Sequence, residues 1–268
     1  VSRIAEHLVV IRGGGDIGSG VTWRLRRAGF PVVVLELPRP LAVRRTVAFS
    51  TAVSTDRVTI DGVDGVRAST PSEAITLAAE GVVPVVVSDV VPTFPHPVSV
   101  IVDARLAKRP LDTTLDQAPL VIGLGPGFTA GTNCHCVVET LRGHRLGRVM
   151  WSGSAAPDTG VPGEIGGAST NRILRAPTTG VLDWLVDFGE VVESGAVLGH
   201  VDGRPVTAAI AGTVRGLISN GAVDAGLKIG DIDPRMDPFA IDQISDKALA
   251  VGGGVLEAVL TWLDSTPC

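Results

Sequence analysis

Two glycine runs hold the residues best suited to chemistry. Arg12-Gly13-Gly14-Gly15-Asp16-Ile17-Gly18 satisfies G-x-G-x-x-G. It follows an apolar run at 7–12 and precedes helical spacing at Ile17, Val21 and Leu25. In this pattern one glycine makes the turn, the next admits a pyrophosphate to the backbone, and the third lets helix pack on strand. The helix start then offers free N–H groups to an anion. Glu36 lies 18 residues past Gly18, at the end of the next apolar run, where an acid would accept from a ribose hydroxyl. Asp16 adds negative charge beside such a site, and Arg12 is placed to offset it. The competing reading is a glycine turn kept for close packing.

Gly123-Leu124-Gly125-Pro126-Gly127 again follows an apolar run, 119–124, and a helix is expected after it at 134–141. Two glycine loops at the strand ends of one parallel sheet face the same crevice. The candidate binding residues are therefore Gly13, Gly14, Gly15, Asp16, Gly18, Glu36, Gly123, Gly125 and Gly127. Asn133-Cys134-His135-Cys136 is expected to open that second helix. A helix start would lower a thiol's pKa, and Cys-x-Cys with a histidine could ligate a soft metal. No second cysteine pair completes a tetrahedral site, so no metal is expected and buried cysteines are the plainer reading. Arg39, Arg44 and Arg45 read as a solvated loop or as phosphate partners. Asp103 and Arg105 read as a salt bridge, and His96 and His144 as structural.

The surrounding elements alternate strand and helix. Apolar runs at 7–12, 31–37, 84–88, 99–104 and 119–124 read as buried parallel strands. Asp-Gly pairs within 58–66 indicate a hairpin or edge strand. Thr70-Pro71-Ser72-Glu73 has the N-cap, the N1 proline and the N3 carboxylate of a helix start. A short helix is expected at 45–53. A final helix at 244–263, capped by Ser245, contains Gly252–Gly254, which implies either close approach or a break.

Residues 172–234 contain an internal repeat. Gly180…Gly189…Val191…Leu198 aligns with Gly212…Gly221…Val223…Ile229. The halves meet near Asp202-Gly203, a strong hairpin signal. The expected fold is α/β. A Rossmann-like parallel-sheet domain fills 1–170. A small β barrel-sandwich-hybrid domain, of biotinyl/lipoyl type, fills 171–236. A C-terminal helical segment, 237–268, packs back on the first domain. A carrier would need a lysine at the hairpin tip, and the tip is Asp202-Gly203-Arg204.

Composition narrows the class. Of 268 residues 45% are hydrophobic and 19% charged, too apolar for a disordered chain. The formal charge of −5 carries no nucleic-acid footprint. Three cysteines make no disulfide framework. The uncharged window 117–138 is broken by Pro119, Pro126 and several glycines, so no membrane helix is expected. No signal-peptide pattern is evident, and a cytoplasmic protein is expected.

Several stretches together resemble a family. They are RGGGDIGSG at 12–20, ELPRPLAVRRTVAFSTAV at 36–53, APLVIGLGPGFTAG at 118–131, ETLRGHRLGRV at 139–149, TGVPG at 159–163, LRAP at 174–177, KIGDIDPR at 228–235 and ISDKALAVGGGVLEAVL at 244–260. The chain resembles the YqeB-type accessory proteins of selenium-dependent molybdenum hydroxylase systems, distantly akin to XdhC-type maturation factors. The resemblance implies a maturation role, with a molybdopterin-type cofactor held for a molybdenum hydroxylase apo-enzyme. It supplies no catalytic residue. The residues alone leave an NAD(P)-dependent oxidoreductase and a non-catalytic nucleotide-binding scaffold open. The chain lacks tyrosine, which removes one common proton donor from the oxidoreductase reading. A homo-oligomer is compatible with each reading.

Overall fold

Valine-rich runs build the centre of the molecule. In the computed structural model, residues 3–158, 160, 166–237 and 241–265 are described. The match at 159–163, apart from Gly160, and Cys268 lie outside them. The described chain divides into two compact units. The first comprises 1–40, 48–158 and 244–268, and the second 41–47 and 159–243.

The first unit begins with β1 (Leu8–Arg12), α1 (Asp16–Arg27) and β2 (Val32–Glu36). Ile17, Val21 and Leu25 of α1 are buried, as their spacing requires. The segment expected to be one helix at 45–53 is divided. It forms 3-10 turns at Arg45–Val47 and Phe49–Thr51, then α2 (Ala52–Thr55). Its β-branched and hydroxyl residues favour such broken turns over a continuous helix. Next come β3 (Arg57–Ile60) and β4 (Val63–Ala68), a hairpin turned by Asp61 and Gly62, both at positive φ. α3 (Pro71–Ala79) starts on a capping box: Thr70 Oγ1 accepts from Glu73 N at 3.1 Å, and Glu73 Oε2 from Ser69 N at 2.7 Å.

β5 (Val83–Val87), β6 (Val98–Asp103), β7 (Leu120–Leu124), β8 (Thr129–Ala130), β9 (Cys136–Val138), β10 (Val149–Met150) and β11 (Gly153–Ser154) follow. The main sheet has nine strands in the order β10-β9-β7-β6-β1-β2-β5-β4-β3. Every pair from β9 to β4 is parallel, and the two edge strands are antiparallel. The chain builds outward from β1 through β2, then resumes at β6 on the other side of β1. The order therefore reverses between β1 and β6, where an open α/β sheet forms a crevice at its strand C-termini.

The helix expected at 134–141 is not there. Those residues give β9, parallel to β7, because Cys136, Val137 and Val138 bury their side chains in the sheet. His135 N donates to Val121 O, and Val121 N donates back to His135 Nδ1 at 2.9 Å, which zips β9 onto β7.

α4 (Asp246–Ser265) closes the first unit as one unbroken helix through its three glycines. Ser245 Oγ accepts from Ala248 N at 3.1 Å. A Cβ on Gly20 of α1 would lie 2.7 Å from Ala248, and one on Gly252 would lie 2.7 Å from Gly20 O. The glycines thus serve close approach of two helices. α4 is long and apolar enough by composition to cross a membrane, but it packs here along α1.

The second unit contains β12 (Ile173–Arg175), β13 (Gly180–Trp184), β14 (Val191–Val192), β15 (Val197–Val201), β16 (Arg204–Thr207), β17 (Gly212–Leu217), β18 (Gly221–Val223) and β19 (Lys228–Asp233). Two antiparallel sheets result, β12-β19-β17-β14 and β16-β15-β13-β18. The repeat reappears as a pairing symmetry. β13 pairs with β15 of its own half and β18 of the other, while β17 pairs with β19 of its own and β14 of the other. Asp202 and Gly203 turn the β15–β16 hairpin, both at positive φ. Leu182, Leu198, Val214, Ile229 and Ile232 fill the core. Asp231 pairs with Arg172, and Asp233 with Arg235 at 2.6 Å and Arg215 at 3.6 Å. Arg44 is buried and Arg45 half-buried, not part of a freely solvated loop. Arg44 Nη2 donates to Gln243 O and Arg45 Nε to Leu217 O, each at 2.8 Å, so both are structural pins of this unit.

Candidate functional site

The C-terminal ends of β1, β6, β7 and β9 bring both glycine loops to one edge of the parallel sheet. Gly13 turns the chain out of β1 at φ +103, a conformation that L side chains rarely adopt. Its missing Cβ would sit 3.1 Å from the carbonyl of Ala104. Gly14 lies against Val34 and the amide of Ser50, at 2.8 and 2.9 Å from a built Cβ. A Cβ on Gly18 would strike Gly13 O, so this glycine lets α1 pack on the loop.

Gly15 differs from these three. It is the N-cap of α1, and a Cβ there meets nothing within 4 Å. The first intrahelical bond runs from Ser19 N to Gly15 O at 2.7 Å, leaving the amides of the first turn to an outside acceptor. Of the four positions, Gly15 alone faces open space at a helix start. That is the geometry through which backbone N–H groups and the helix dipole receive a phosphate.

Glu36 ends β2 beside this loop. Its Oε2 accepts from Gly14 N and its Oε1 from Leu37 N, both at 2.8 Å. It holds the loop in place, and each oxygen keeps a second lone pair for another donor.

The second loop is more tightly packed. Gly123 is needed by Phe128 and Gly125 by Thr140, whose side chains occupy the space of a Cβ. Gly127, at φ +102, lies under the backbone of Arg109, 2.8 Å from a built Cβ. The three glycines therefore serve close packing rather than an open cradle. The sequence could not separate these uses, because the covering residues are distant along the chain.

Charged side chains gather on the same edge. Arg12, only 2% exposed, donates to Asp112 at 2.6 Å, Thr113 Oγ1 at 3.0 Å and Asp89 O at 3.1 Å. It serves these partners rather than Asp16. Asp103 and Arg105 do form the expected pair, with Nη2 to Oδ2 at 2.5 Å. Arg105 also reaches Asp112 at 2.7 Å. Partial burial opposes the charge of Asp112, but hydrogen bonds from Arg12 and Arg105 outweigh it and hold its carboxyl at about 2.

Glu139, at the end of β9, is buried and accepts from the amides of Thr140, Leu141 and Ala156. Arg142 forks onto Asp246 at 2.6 and 2.9 Å. Lys247, in the first turn of α4, was not singled out by the sequence. α4 packs on α1 at Gly20 and Ala248, and the Lys247 charge is within electrostatic reach of Asp16, the first residue of α1. Among the described residues its ammonium has no hydrogen bond or ion pair. Burial, then the charge of Arg142, lowers its pKa, against a weaker pull from Asp16. Only the juxtaposition of two helix starts, 230 residues apart, could have revealed it.

The cysteines are not at a helix start, so the reason for a low thiol pKa is gone. Burial pushes Cys134 up to about 11 and Cys136 up to about 12. No group of three or more His, Cys, Asp or Glu among the described residues could hold a metal ion. Iodoacetamide at pH 8 is expected to leave Cys134 and Cys136 unmodified in the native chain and to label both in denaturant. Peptide mass mapping checks this, and rapid native labelling of either would contradict the burial.

This chain is similar to YqeB. The relative, "Uncharacterized protein YqeB" of Escherichia coli, is 48% identical over 258 residues, which is 95% of this chain and 48% of the relative. The chain thus spans about half the length of the curated relative it matches. No family model matches. Among solved structures, an aspartoacylase family protein of Mesorhizobium loti is 12% identical with a TM-score of 0.28, over 85% of each chain. A succinylglutamate desuccinylase/aspartoacylase of Rhodobacter sphaeroides is 16% identical with a TM-score of 0.25, also over 85% of each. The ectoine utilization protein EutE of Ruegeria pomeroyi is 12% identical with a TM-score of 0.23, over 84% of this chain and 56% of that one. These TM-scores are too low to carry an inference about this chain.

Proposed function

We propose that this chain is a cytoplasmic accessory factor that holds a phosphate-bearing cofactor, a nucleotide or a molybdopterin, and presents it to a molybdenum hydroxylase apo-enzyme. The observation that carries the reading is Gly15, the open N-cap of α1, with the charge of Lys247 in electrostatic reach of Asp16 at the same helix start. A phosphate there would accept from the first-turn amides of α1 and gain the lysine's charge. Asp16 is a standing negative charge at the same helix start and favours a ligand that also brings hydrogen-bond donors, as a pterin or an adenine does. On this reading the first unit is Rossmann-like. The second is a barrel-sandwich hybrid used for docking, since its tip at Asp202-Gly203-Arg204 has no lysine to carry a group. The hydroxylase as client rests on the sequence resemblance alone.

Glu36 favours a second reading, an NAD(P)-dependent oxidoreductase, because it ends β2 where a ribose hydroxyl would be met. Two experiments separate them. Calorimetry with NAD+ and NADP+ on the full chain tests the second, and absence of heat with both removes it. Co-purification with a molybdenum hydroxylase apo-enzyme tests the first. The expected result is capture of the apo-enzyme together with the cofactor; no capture and no pterin binding would end the proposal.

A further inference from the structure

A carboxylate from the chain itself bridges arginines at the C-terminal ends of β1 and β6. Asp112 lies on the irregular connection 104–114, after β6. Its Oδ2 accepts from Arg12 Nη2 at 2.6 Å and its Oδ1 from Arg105 Nη1 at 2.7 Å. One carboxylate thus spans two guanidiniums, one oxygen to each, as a phosphate or carboxylate ligand would. The partners are unequal. The Arg12 side chain is 2% exposed, whereas that of Asp112 is 50% exposed. A buried guanidinium is therefore neutralised from the solvent side by a side chain free to turn away.

The remaining bonds show what would stay when it turns. Arg105 keeps Asp103 through Nη2 and Nε, and Thr113 Oγ1 donates to Asp103 at 2.6 Å. Arg12 keeps only neutral acceptors, Thr113 Oγ1 and Asp89 O. Its charge would then lack a partner in a place where an unpaired charge is costly. Gln117 Nε2 donates to Asp112 O at 2.9 Å, which holds the backbone in place while the carboxylate swings. Arg12 is also the residue just before Gly13, at the start of the first glycine loop.

We propose that Arg12 and Arg105 form a receptor for an anionic group, a phosphate or a carboxylate, and that Asp112 is its internal stand-in, displaced when that ligand binds. The receptor is distinct from the Gly15 helix start and goes beyond the cofactor reading above. It holds whichever cofactor, if any, occupies that helix start. The bonds exchanged are hydrogen bonds only, and the charge of the cluster is the same before and after a monoanion replaces Asp112.

The test uses Asp112→Asn in the full chain, with inorganic phosphate as probe and chloride at matched ionic strength as control. The variant is expected to melt lower than the wild type in chloride. Phosphate at about 100 times its Kd should raise its Tm by roughly 4 °C or more. Its apparent affinity for phosphate should exceed that of the wild type about ten-fold, and Asp112→Glu, which keeps the stand-in, should show no gain. Equal phosphate responses in Asp112→Asn and wild type would overturn the proposal. If Asp112→Asn fails to fold in chloride, refolding yield reads the same site: recovery in phosphate supports it, and equal failure in both salts overturns it. ADP in place of phosphate separates the sources. Tighter binding of ADP, with the excess lost in Gly15→Leu, assigns the anion to a bound cofactor. Equal binding assigns it to the free ion. A phosphate gain that survives when no nucleotide or pterin binds would sink only the cofactor reading.

Discussion

Replacing Gly15 by leucine is expected to weaken cofactor binding by about 100-fold, or ~3 kcal/mol, in a protein that still folds. Gly15 has φ −73 and ψ −171, which any L residue adopts, and no atom lies within 4 Å of a Cβ built there. Loss of glycine at an N-cap costs about 1 kcal/mol, a small shift in Tm for a chain of this size. A leucine side chain would instead stand where the phosphate meets the first-turn amides. Gly15→Ser is the matched control, since serine is a better cap and small enough to tolerate. Calorimetry and thermal melting on both variants separate binding from folding. A leucine variant that binds as the wild type does would move the ligand away from this loop.

The largest stability effects are expected where the glycines of α4 touch their neighbours, α1 at Gly252 and the 147 turn and β9 at Gly254. A Cβ on Gly254 would strike Gly147 O and lie 2.9 Å from Val138, and one on Gly252 would lie 2.7 Å from Gly20 O. Backbone on both sides leaves little room to give. Gly254→Val is therefore expected to lose about 3 kcal/mol or more, as overpacking of a rigid contact does. Gly253, between them, has nothing within 4 Å of a Cβ. There Gly253→Ala should gain about 1 kcal/mol, because glycine in a helix interior is unfavourable relative to alanine. Opposite signs at adjacent positions distinguish a close backbone approach from a general intolerance of the segment. Urea unfolding of the two variants reads both signs, and a stabilising Gly254→Val would refute the close approach.

These contrasts show why some features were legible in the sequence. Gly13–Gly18 was readable because turn, helix start and packing contact all fall within a few residues. The capping box at Thr70–Glu73 and the Asp-Gly hairpins were readable for the same reason: their physics is local. The repeat in 180–229 was readable as a register match, and the strands pair accordingly. The 134–141 segment misled because a glycine loop after a parallel strand usually leads to a helix. Here three sheet-forming residues add a strand directly, and His135 fixes it to the Val121 backbone by its own amide and its ring nitrogen. The charge cluster was only partly visible. Asp103 and Arg105 are neighbours in sequence, but Arg12 and Asp112 are 100 residues apart and meet only once the sheet order reverses at β1. Lys247 was hidden likewise, since its importance depends on α4 lying along α1.

On the proposed function, the α1 start at Gly15 receives the phosphate of a cofactor. Native mass spectrometry of the gently purified full chain, with the released small molecules identified, tests it most directly. The expected result is a phosphate-bearing pterin or nucleotide retained by the wild type and lost in Gly15→Leu. A wild-type chain that retains no such molecule, and that gives no heat with nucleotides or pterins in calorimetry, would contradict it.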